Sequence, residues 1–245
     1  SSASLKKYPT VTIKGYVIDQ ATLKPLVGIQ LQALGFNQYT AMTEEDGSFT
    51  IAVPTFTTAL YVHAPQYPQR GLGMDLLLYD WLNEYTFPLE AKYADPDFAR
   101  AVYDAFVDDL IANGTLHACI FGTIHREATS YLLEKMEEKC LPAFVGKVNM
   151  DKASPPYLCE TTEESLRETE IYLDTYKDNH FAKPIITPRF APTCSGPLME
   201  GLGRLGRKYH VGMQTHIVES KWEASQALID FPDAASDSEI YERVG

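Results

Sequence analysis

The periodicity of apolar residues changes once along this chain of 245 residues, and that change constrains its fold more than any other feature. In the N-terminal part, apolar and polar residues alternate over residues 29–33 and 49–53, which is the pattern of half-buried strands. Further along, helical periods alternate with short apolar runs. We therefore predict two domains, a small all-β sandwich-like module over residues 1–62 and an α/β domain over residues 63–245.

The α/β part contains predicted helices over residues 75–84, 95–112, 126–138, 162–176, 195–209 and 221–228, and predicted strands over residues 116–121, 143–149, 184–188 and 211–216. Such alternation is typical of parallel βαβ units, which build either a doubly wound sheet or a (β/α) barrel. A full barrel takes about 250 residues. Because 183 residues follow Val62, a barrel here would be partial. An open barrel leaves strand edges unpaired, so we expect a homodimer.

Composition excludes several classes of partner. The chain has 21 basic and 33 acidic side chains, and a net charge of −12 repels the phosphates of nucleic acids. Its apolar stretches are too short to predict a membrane span. The four cysteines, at positions 119, 140, 159 and 194, lack CxxC spacing. This pattern favours reduced thiols and a cytoplasmic location, although the N-terminal module would also suit a bacterial envelope protein.

Polar residues at the ends of predicted strands are the candidates for chemistry, because parallel α/β folds gather reactive groups there. His216 ends the last predicted strand, and Glu219 follows three residues later. An imidazole nitrogen can bind Zn²⁺ or Fe²⁺, and a carboxylate at this spacing can move a proton of a metal-activated water. By itself the pair is more often a capping glutamate beside a hydrogen-bonded histidine.

Two further clusters lie near strand ends. Arg189 and Phe190 follow the predicted strand over residues 184–188, and they could bond and stack on a flat heterocycle, or form a surface ion pair beside a core ring. His63 and Gln66 follow a β-like run, where a lone histidine is usually structural. The remaining histidines, at positions 117, 125, 180 and 210, lack a partner at ligand spacing, and we expect structural roles for them.

The order of these clusters and the sequence around them resemble the guanine deaminase family of amidohydrolases from about residue 63 to residue 245. The resemblance is carried by residues 75–88 (DLLLYDWLNEYTFP), 121–125 (FGTIH), 143–151 (AFVGKVNMD), 161–165 (TTEES) and 187–190 (TPRF). It implies a partial (β/α) barrel of amidohydrolase type. It also implies hydrolysis of guanine to xanthine and ammonia with one Zn²⁺ per chain, or Fe²⁺ in its place.

The resemblance also assigns roles by position. His63 corresponds to the second histidine of a metal-binding HxH pair and His216 to a later metal ligand. Glu219 corresponds to the residue that carries the proton. The guanine-holding positions are occupied by Gln66, Arg189 and Phe190.

The sequence departs from the family pattern at the metal site. Tyr61 stands where the family has the first histidine of the HxH pair, and the family's further histidine and metal-binding aspartate have no counterpart up to Gly245. A catalytic zinc site typically has three protein ligands, and His63 with His216 supplies two. We therefore expect this chain by itself to be inactive or nearly so unless another chain completes the site.

The N-terminal module resembles the carboxypeptidase-regulatory-like β-sandwich, on the basis of residues 13–19 (IKGYVID), 25–29 (PLVGI) and 43–51 (TEEDGSFTI). That resemblance supports a second hypothesis, in which the protein is a non-catalytic interaction or envelope-receptor-like module with an attached α/β segment. A third hypothesis is that the chain is a composite of two unrelated sequences. Metal content and purine binding separate the first hypothesis from the second.

Overall fold

The computed structural model describes residues 10–16, 30–33, 36–42, 44–46, 48–54, 60–73, 75–115, 117–217 and 220–243. The chain divides into two compact units, residues 1–59 and residues 60–245. This boundary lies three residues before the one that the change of periodicity predicts. The assignment of the two parts as an all-β module and a deaminase-like domain stays a prediction.

The N-terminal unit consists, in its described residues, of two antiparallel strand pairs. The strands are β1 (Thr10–Tyr16), β2 (Gln30–Ala33), β3 (Phe36–Met42) and β4 (Ser48–Pro54). β1 pairs with β4, and β2 pairs with β3 with a bulge at Gln32 and Ala33. Residues 25–29, which carry part of the resemblance, lie outside the described residues. The β-sandwich, with its carboxypeptidase-regulatory-like resemblance, stays a prediction.

A parallel sheet forms the centre of the second unit. Its four strands are β5 (Leu60–His63), β6 (Ala118–Phe121), β7 (Ala143–Gly146) and β9 (Ala182–Pro184), in the order β5-β6-β7-β9. A shorter parallel pair joins β8 (Val148–Asn149) to β10 (Thr187–Pro188). Ile186 makes one more parallel bridge, to Met213. The carboxyl ends of these strands therefore meet at one edge, as βαβ connections require.

The helices of this unit are α1 (Leu78–Trp81), α2 (Phe87–Glu90), α3 (Pro96–Ala112), α4 (Arg126–Glu138), α5 (Thr162–Tyr176), α6 (Gly196–Tyr209), α7 (Lys221–Asp230) and α8 (Asp237–Glu242). Short 3-10 turns lie at Ala64–Gln69, Ala91–Ala94, Pro156–Leu158 and Ala191–Thr193, and a π turn lies at Leu82–Thr86. Within the described residues, none of these helices has the length and apolar character that crossing a membrane requires.

Most described side chains of the sheet are buried, with Phe144 of β7 as an exposed exception, and such burial is typical of parallel sheets covered by helices. All four residues of β6 are buried, and Ile120 has no exposed surface. Apolar side chains of α3 and α4, including Phe106 and Leu132, pack in the same core cluster as Ile120 and Val145 of the sheet. The fold is therefore of the predicted α/β class.

Four predicted elements differ from the structure, among them the strand predicted over residues 143–149, which is divided into β7 and β8. The helix predicted over residues 75–84 begins at Leu78, and helical turns continue to Ala94. Pro88 lacks the N–H that a regular α-helix needs, and the chain forms the π turn just before it. The strand predicted over residues 184–188 is divided into β9 and β10, and the one over residues 211–216 is reduced to a single bridge.

Candidate active site

A cavity of about 140 Å³ lies at the carboxyl edge of the sheet. His63, the last residue of β5, faces it, and Phe121, the last residue of β6, packs beneath. At roughly 30 Å³ per water, the cavity has room for a small flat molecule. Its lining combines polar and apolar side chains, namely His63, Gln66, Leu78, Trp81, Leu82, Arg189, Phe190 and His216.

Two histidines converge on one side of the cavity, and we call them the histidine corner. The Nε2 atoms of His63 and His216 are 2.7 Å apart. The ring of His63 stacks on Phe121 with a centroid distance of 4.6 Å. His216 Nδ1 lies 2.7 Å from the carbonyl oxygen of Arg189. Because a carbonyl only accepts, Nδ1 carries the proton, and Nε2 of His216 presents its lone pair to the corner.

The segment that carries His216 is anchored by a glutamine two residues earlier. Gln214 is buried, and its Nε2 donates to the carbonyl of Ile120 and to Thr187 Oγ1, both at 3.0 Å. Cys119 donates to Gln214 Oε1 at 2.7 Å. These bonds tie the last segment to β6 and β10, so the position of His216 is fixed although no regular strand forms there.

Burial lowers the pKa of His63 well below its ordinary value, and the nearby positive charges of His216 and Arg189 lower it further. The His63 imidazole is therefore neutral at pH 7, the form in which histidine binds metals. Its Nδ1 is buried without a hydrogen-bond partner among the described residues. The Nε2 atoms of the two rings thus face one another within the cavity.

The donor chemistry of the corner fits a divalent metal, since imidazole nitrogens are ordinary ligands of zinc and iron. The number of ligands does not reach a full site. Among the described residues, no three His, Cys, Asp or Glu side chains are grouped so that they could hold a metal ion. His63 and His216 could therefore supply two ligands of a metal site, and a further protein ligand would have to come from outside the described residues.

The opposite side of the cavity is formed by Gln66, Arg189 and Phe190, which we call the arginine wall. Arg189 is 2% exposed, and its two terminal nitrogens donate to the carboxylate of Glu90 at 2.6 and 3.1 Å. Gln66 Nε2 lies 3.4 Å from the same carboxylate. The guanidinium also lies 5.2 Å from the ring centroid of Phe87. The wall is thus held by a buried ion pair from α2.

Apolar rings close the remaining sides. Phe190 is buried, and it belongs to a cluster with Leu82 and Phe121, against which Trp81 and Leu78 pack. Flat apolar walls beside a few directional donors are the usual construction of a site for a planar heterocycle. The arrangement can therefore bind a flat polar ring beside two neutral imidazoles.

The structure brings five of the six predicted site residues together around this cavity, namely His63, Gln66, Arg189, Phe190 and His216. Glu219 lies outside the described residues, and its role stays a prediction. The next residue, Ser220, caps α7 through a hydrogen bond from the backbone N of Glu223. The chemical roles of the five cavity residues also stay predictions.

Sequence reasoning missed Glu90. The residue ends a short helix in the stretch Phe87–Glu90, and nothing in the spacing distinguishes it from an exposed acidic residue. What distinguishes Glu90 is its position beside Arg189 at the end of a strand. That proximity is a property of the tertiary structure and leaves no mark in the local sequence. Trp81 also lines the cavity.

A parallel α/β sheet with a polar cavity at its carboxyl edge defines a class of proteins that bind small ligands at strand ends. The amidohydrolase family matches residues 51–244, which is most of the chain. This chain therefore belongs to the amidohydrolase family.

Individual relatives extend the comparison. Over 210 residues the chain is 39% identical to guanine deaminase of Dictyostelium discoideum, covering 85% of this chain and 46% of that protein. It is 39% identical to guanine deaminase of Rattus norvegicus over 75% of this chain and 41% of that protein. A crystal structure of guanine deaminase from C. acetobutylicum with bound guanine in the active site has a TM-score of 0.75 and 42% identity, covering 77% of this chain and 45% of that one. The chain thus spans a little under half the length of these relatives.

Proposed function

We propose that this chain carries the guanine-binding part of a guanine deaminase site, which hydrolyses guanine to xanthine and ammonia once its metal site is complete. One observation carries the proposal: the histidine corner and the arginine wall line the same small cavity. Relatives named guanine deaminase, at 39% identity, support the choice of substrate. The competing hypothesis of a non-catalytic β module gives no reason for these side chains to converge.

In this proposal the arginine wall holds guanine. Arg189 uses two of its five N–H groups on Glu90 and keeps others for the acceptor atoms of a purine edge. The amide of Gln66 offers both a donor and an acceptor, as a ring with mixed polar edges needs. Phe190 lies against the face of the ring, where aromatic stacking favours planar ligands.

His63 and His216 would hold the metal, which we propose to be one Zn²⁺ per chain, with Fe²⁺ as the alternative. A divalent metal supplies Lewis-acid activation of the attacking water when it is bound. The neutral state of His63, caused mainly by burial, lets its ring nitrogen act as a ligand without losing a proton first. The remaining protein ligand must come from outside the described residues.

Glu219 is the proposed proton carrier. The water oxygen forms a bond to the amino-bearing ring carbon of guanine, and the bond from that carbon to the amino nitrogen breaks. Glu219 takes one proton from the water and gives it to the leaving nitrogen, which departs as ammonia. The second proton of the water moves to the adjacent ring nitrogen as the new carbonyl forms, which leaves xanthine. The arginine wall keeps the purine plane fixed while the proton moves.

The test measures guanine binding by calorimetry and bound zinc by atomic absorption on the full chain. We expect one guanine site and close to one zinc, and we expect His216→Ala to lose the zinc. His180→Ala, which removes an exposed histidine, is the matched control and should keep both. Absence of both guanine binding and zinc in the unaltered chain would overturn the proposal in favour of the non-catalytic module.

Ammonia release separates binding from turnover. Because the described residues provide two metal ligands, we expect the chain alone to release ammonia from guanine slowly or not at all. Release that scales with bound zinc would contradict the expectation of an incomplete site.

Three further proposals are a homodimer, a cytoplasmic location and a β-sandwich fold for the N-terminal unit. Sedimentation of the purified chain tests the homodimer.

A further inference from the structure

Glu90 is a fully buried carboxylate that lies behind the arginine wall and does not itself line the cavity. Its oxygens accept hydrogen bonds from both terminal nitrogens of Arg189, at 2.6 and 3.1 Å. Oε1 also lies 3.4 Å from Gln66 Nε2, within hydrogen-bond distance. One carboxylate therefore contacts two of the three side chains that form the wall.

This contact determines both the direction and the charge of Arg189. A guanidinium gripped at its two terminal nitrogens is held in one plane, since the fork of donors matches the two carboxylate oxygens. The pair is almost completely buried, with side-chain exposures of 3% for Arg189 and 0% for Glu90. The two opposite charges offset one another, so the wall presents N–H donors to the cavity with little net positive charge.

We propose that Glu90 is a positioning residue that makes the cavity selective for neutral purines over anionic ones. The inference rests on the proposed function, because it names how the same cavity chooses its ligand. Guanine is neutral at neutral pH, whereas urate is an anion and xanthine is more acidic than guanine. An arginine without a buried counterion would attract the anions, and the Glu90 carboxylate removes that attraction. The buried Glu90 carboxylate would also favour binding of the substrate over the more acidic product.

The first experiment compares Glu90→Gln with the unaltered chain, using calorimetry with guanine and with urate at neutral pH in the presence of a chelator. The amide keeps the shape of the side chain and removes its charge. We expect guanine to bind about tenfold more weakly and urate about tenfold more tightly, because the buried Arg189 loses its counterion. If Glu90 merely supports the fold, both affinities fall together, and that result overturns the proposal.

The matched control is Glu160→Gln. Glu160 also neutralises a buried cation, Lys147, at 2.7 Å, and neither residue lines the cavity. This variant should leave the preference between guanine and urate unchanged. A change of preference equal to that of Glu90→Gln would show that any lost buried carboxylate has this effect and would overturn the proposal.

A second measurement needs no variant and so does not depend on the folding of one. Xanthine becomes an anion as the pH rises past neutrality, while hypoxanthine stays neutral over the same range. The charged and titratable groups that line the cavity, among the described residues, are Arg189 and the two histidines, with Glu90 behind them. Hypoxanthine binding, measured over the same pH range, corrects for the titration of these protein groups.

We expect the affinity of the unaltered chain for xanthine to fall relative to hypoxanthine, by about tenfold, as xanthine ionises. A constant ratio would overturn the role of Glu90 and leave the proposed function intact. Failure of every purine to bind would overturn the proposed function itself, and with it this inference. The two failures are therefore distinguishable.

Discussion

The arginine wall and the histidine corner line the same cavity but are held in different ways. Arg189 has a buried counterion of opposite charge in Glu90, and two hydrogen bonds fix its plane. The two rings of the histidine corner stack on each other, and His216 Nδ1 bonds to the carbonyl oxygen of Arg189. His63 and His216 meet each other at 2.7 Å through nitrogens that both suit a metal, and His63 Nδ1 has no hydrogen-bond partner among the described residues.

This difference indicates which part of the site the described residues complete by themselves. The wall is preorganised, because its donors are already paired and directed before any ligand arrives. The three residues that we propose to hold guanine all line the cavity. The proposed metal site would need a third protein ligand, and the described residues group no such set.

The largest expected effect comes from breaking the wall with Arg189→Ala. Removing the guanidinium leaves Glu90 as an unpaired buried carboxylate, and such a change costs about 3–5 kcal/mol of unfolding free energy. Guanine binding should be lost as well. Urea unfolding, followed by circular dichroism, measures the change in the free energy of unfolding.

Arg204→Ala is the matched control for this experiment. Arg204 forms an exposed pair with Glu200 at 3.9 Å, and such surface pairs contribute about 0–1 kcal/mol. If Arg189→Ala is no more destabilising than Arg204→Ala, the ion pair does not hold the wall, and the contrast between the two regions fails.

The next largest effect concerns the corner. Zinc that binds only the folded chain should stabilise it by about 2.7 kcal/mol at a free concentration 100 times its dissociation constant. His63→Ala should abolish most of this stabilisation, because it removes one of the two ligands that the corner supplies. A thermal unfolding series with and without zinc checks it.

His180→Ala serves as the control, since His180 is exposed and outside the cavity. Equal stabilisation of the two variants by zinc would place the metal elsewhere on the chain. It would also remove the reason to treat the corner as an unfinished metal site.

Much of this arrangement could be predicted because local signals agreed with the tertiary fold. α5 begins and ends where its pattern predicts, and Thr161 forms a capping box with Glu164 at its start. The rule that chemistry lies at the carboxyl ends of parallel strands was sufficient to select His63, Arg189 and His216 as candidates. The structure brings all three to one cavity.

What could not be predicted depends on contacts between distant segments. Glu90 is 99 positions from Arg189, and an acidic residue in a short helix carries no sign of burial. The last predicted strand, over residues 211–216, is reduced to one bridge, and backbone bonds to Ile186 and Arg189 hold the segment together with side-chain bonds from Gln214. α8 was missed because only six residues form it, too few to show a helical period.

His125 does not line the cavity, and its partly buried ring should make the stability of the fold depend on pH. Burial lowers the pKa of His125, and the charge of Lys147 lowers it further. The unfolded chain therefore binds a proton that the folded chain does not, once the pH falls below about 6.5. Stability should be fully present above that pH and decline below it, by up to about 1.4 kcal/mol per pH unit from this residue.

Urea midpoints measured across this range for His125→Gln should decline less steeply than those of the unaltered chain. His180→Gln, which changes an exposed histidine, should keep the original slope. Identical slopes for all three proteins would mean that His125 is protonated equally in the folded and unfolded states.

The smallest expected effect distinguishes two glutamines of one 3-10 turn, Ala64–Gln69. Gln66 lines the cavity, and its contact with Glu90 is long at 3.4 Å, so Gln66→Leu should change stability by less than about 0.5 kcal/mol. It should weaken guanine binding about tenfold, because a purine edge loses its polar partner. Calorimetry with guanine and urea unfolding measure the two quantities.

Gln69 should behave in the opposite way. It is buried outside the cavity and donates to Thr86 Oγ1 at 2.9 Å, so Gln69→Leu should cost about 1 kcal/mol of stability and leave guanine binding unchanged. If this crossed pattern holds, Gln66 serves recognition and Gln69 serves the fold. Should both variants lose stability and binding together, the turn acts as one structural unit, and Gln66 has no separate role in recognition.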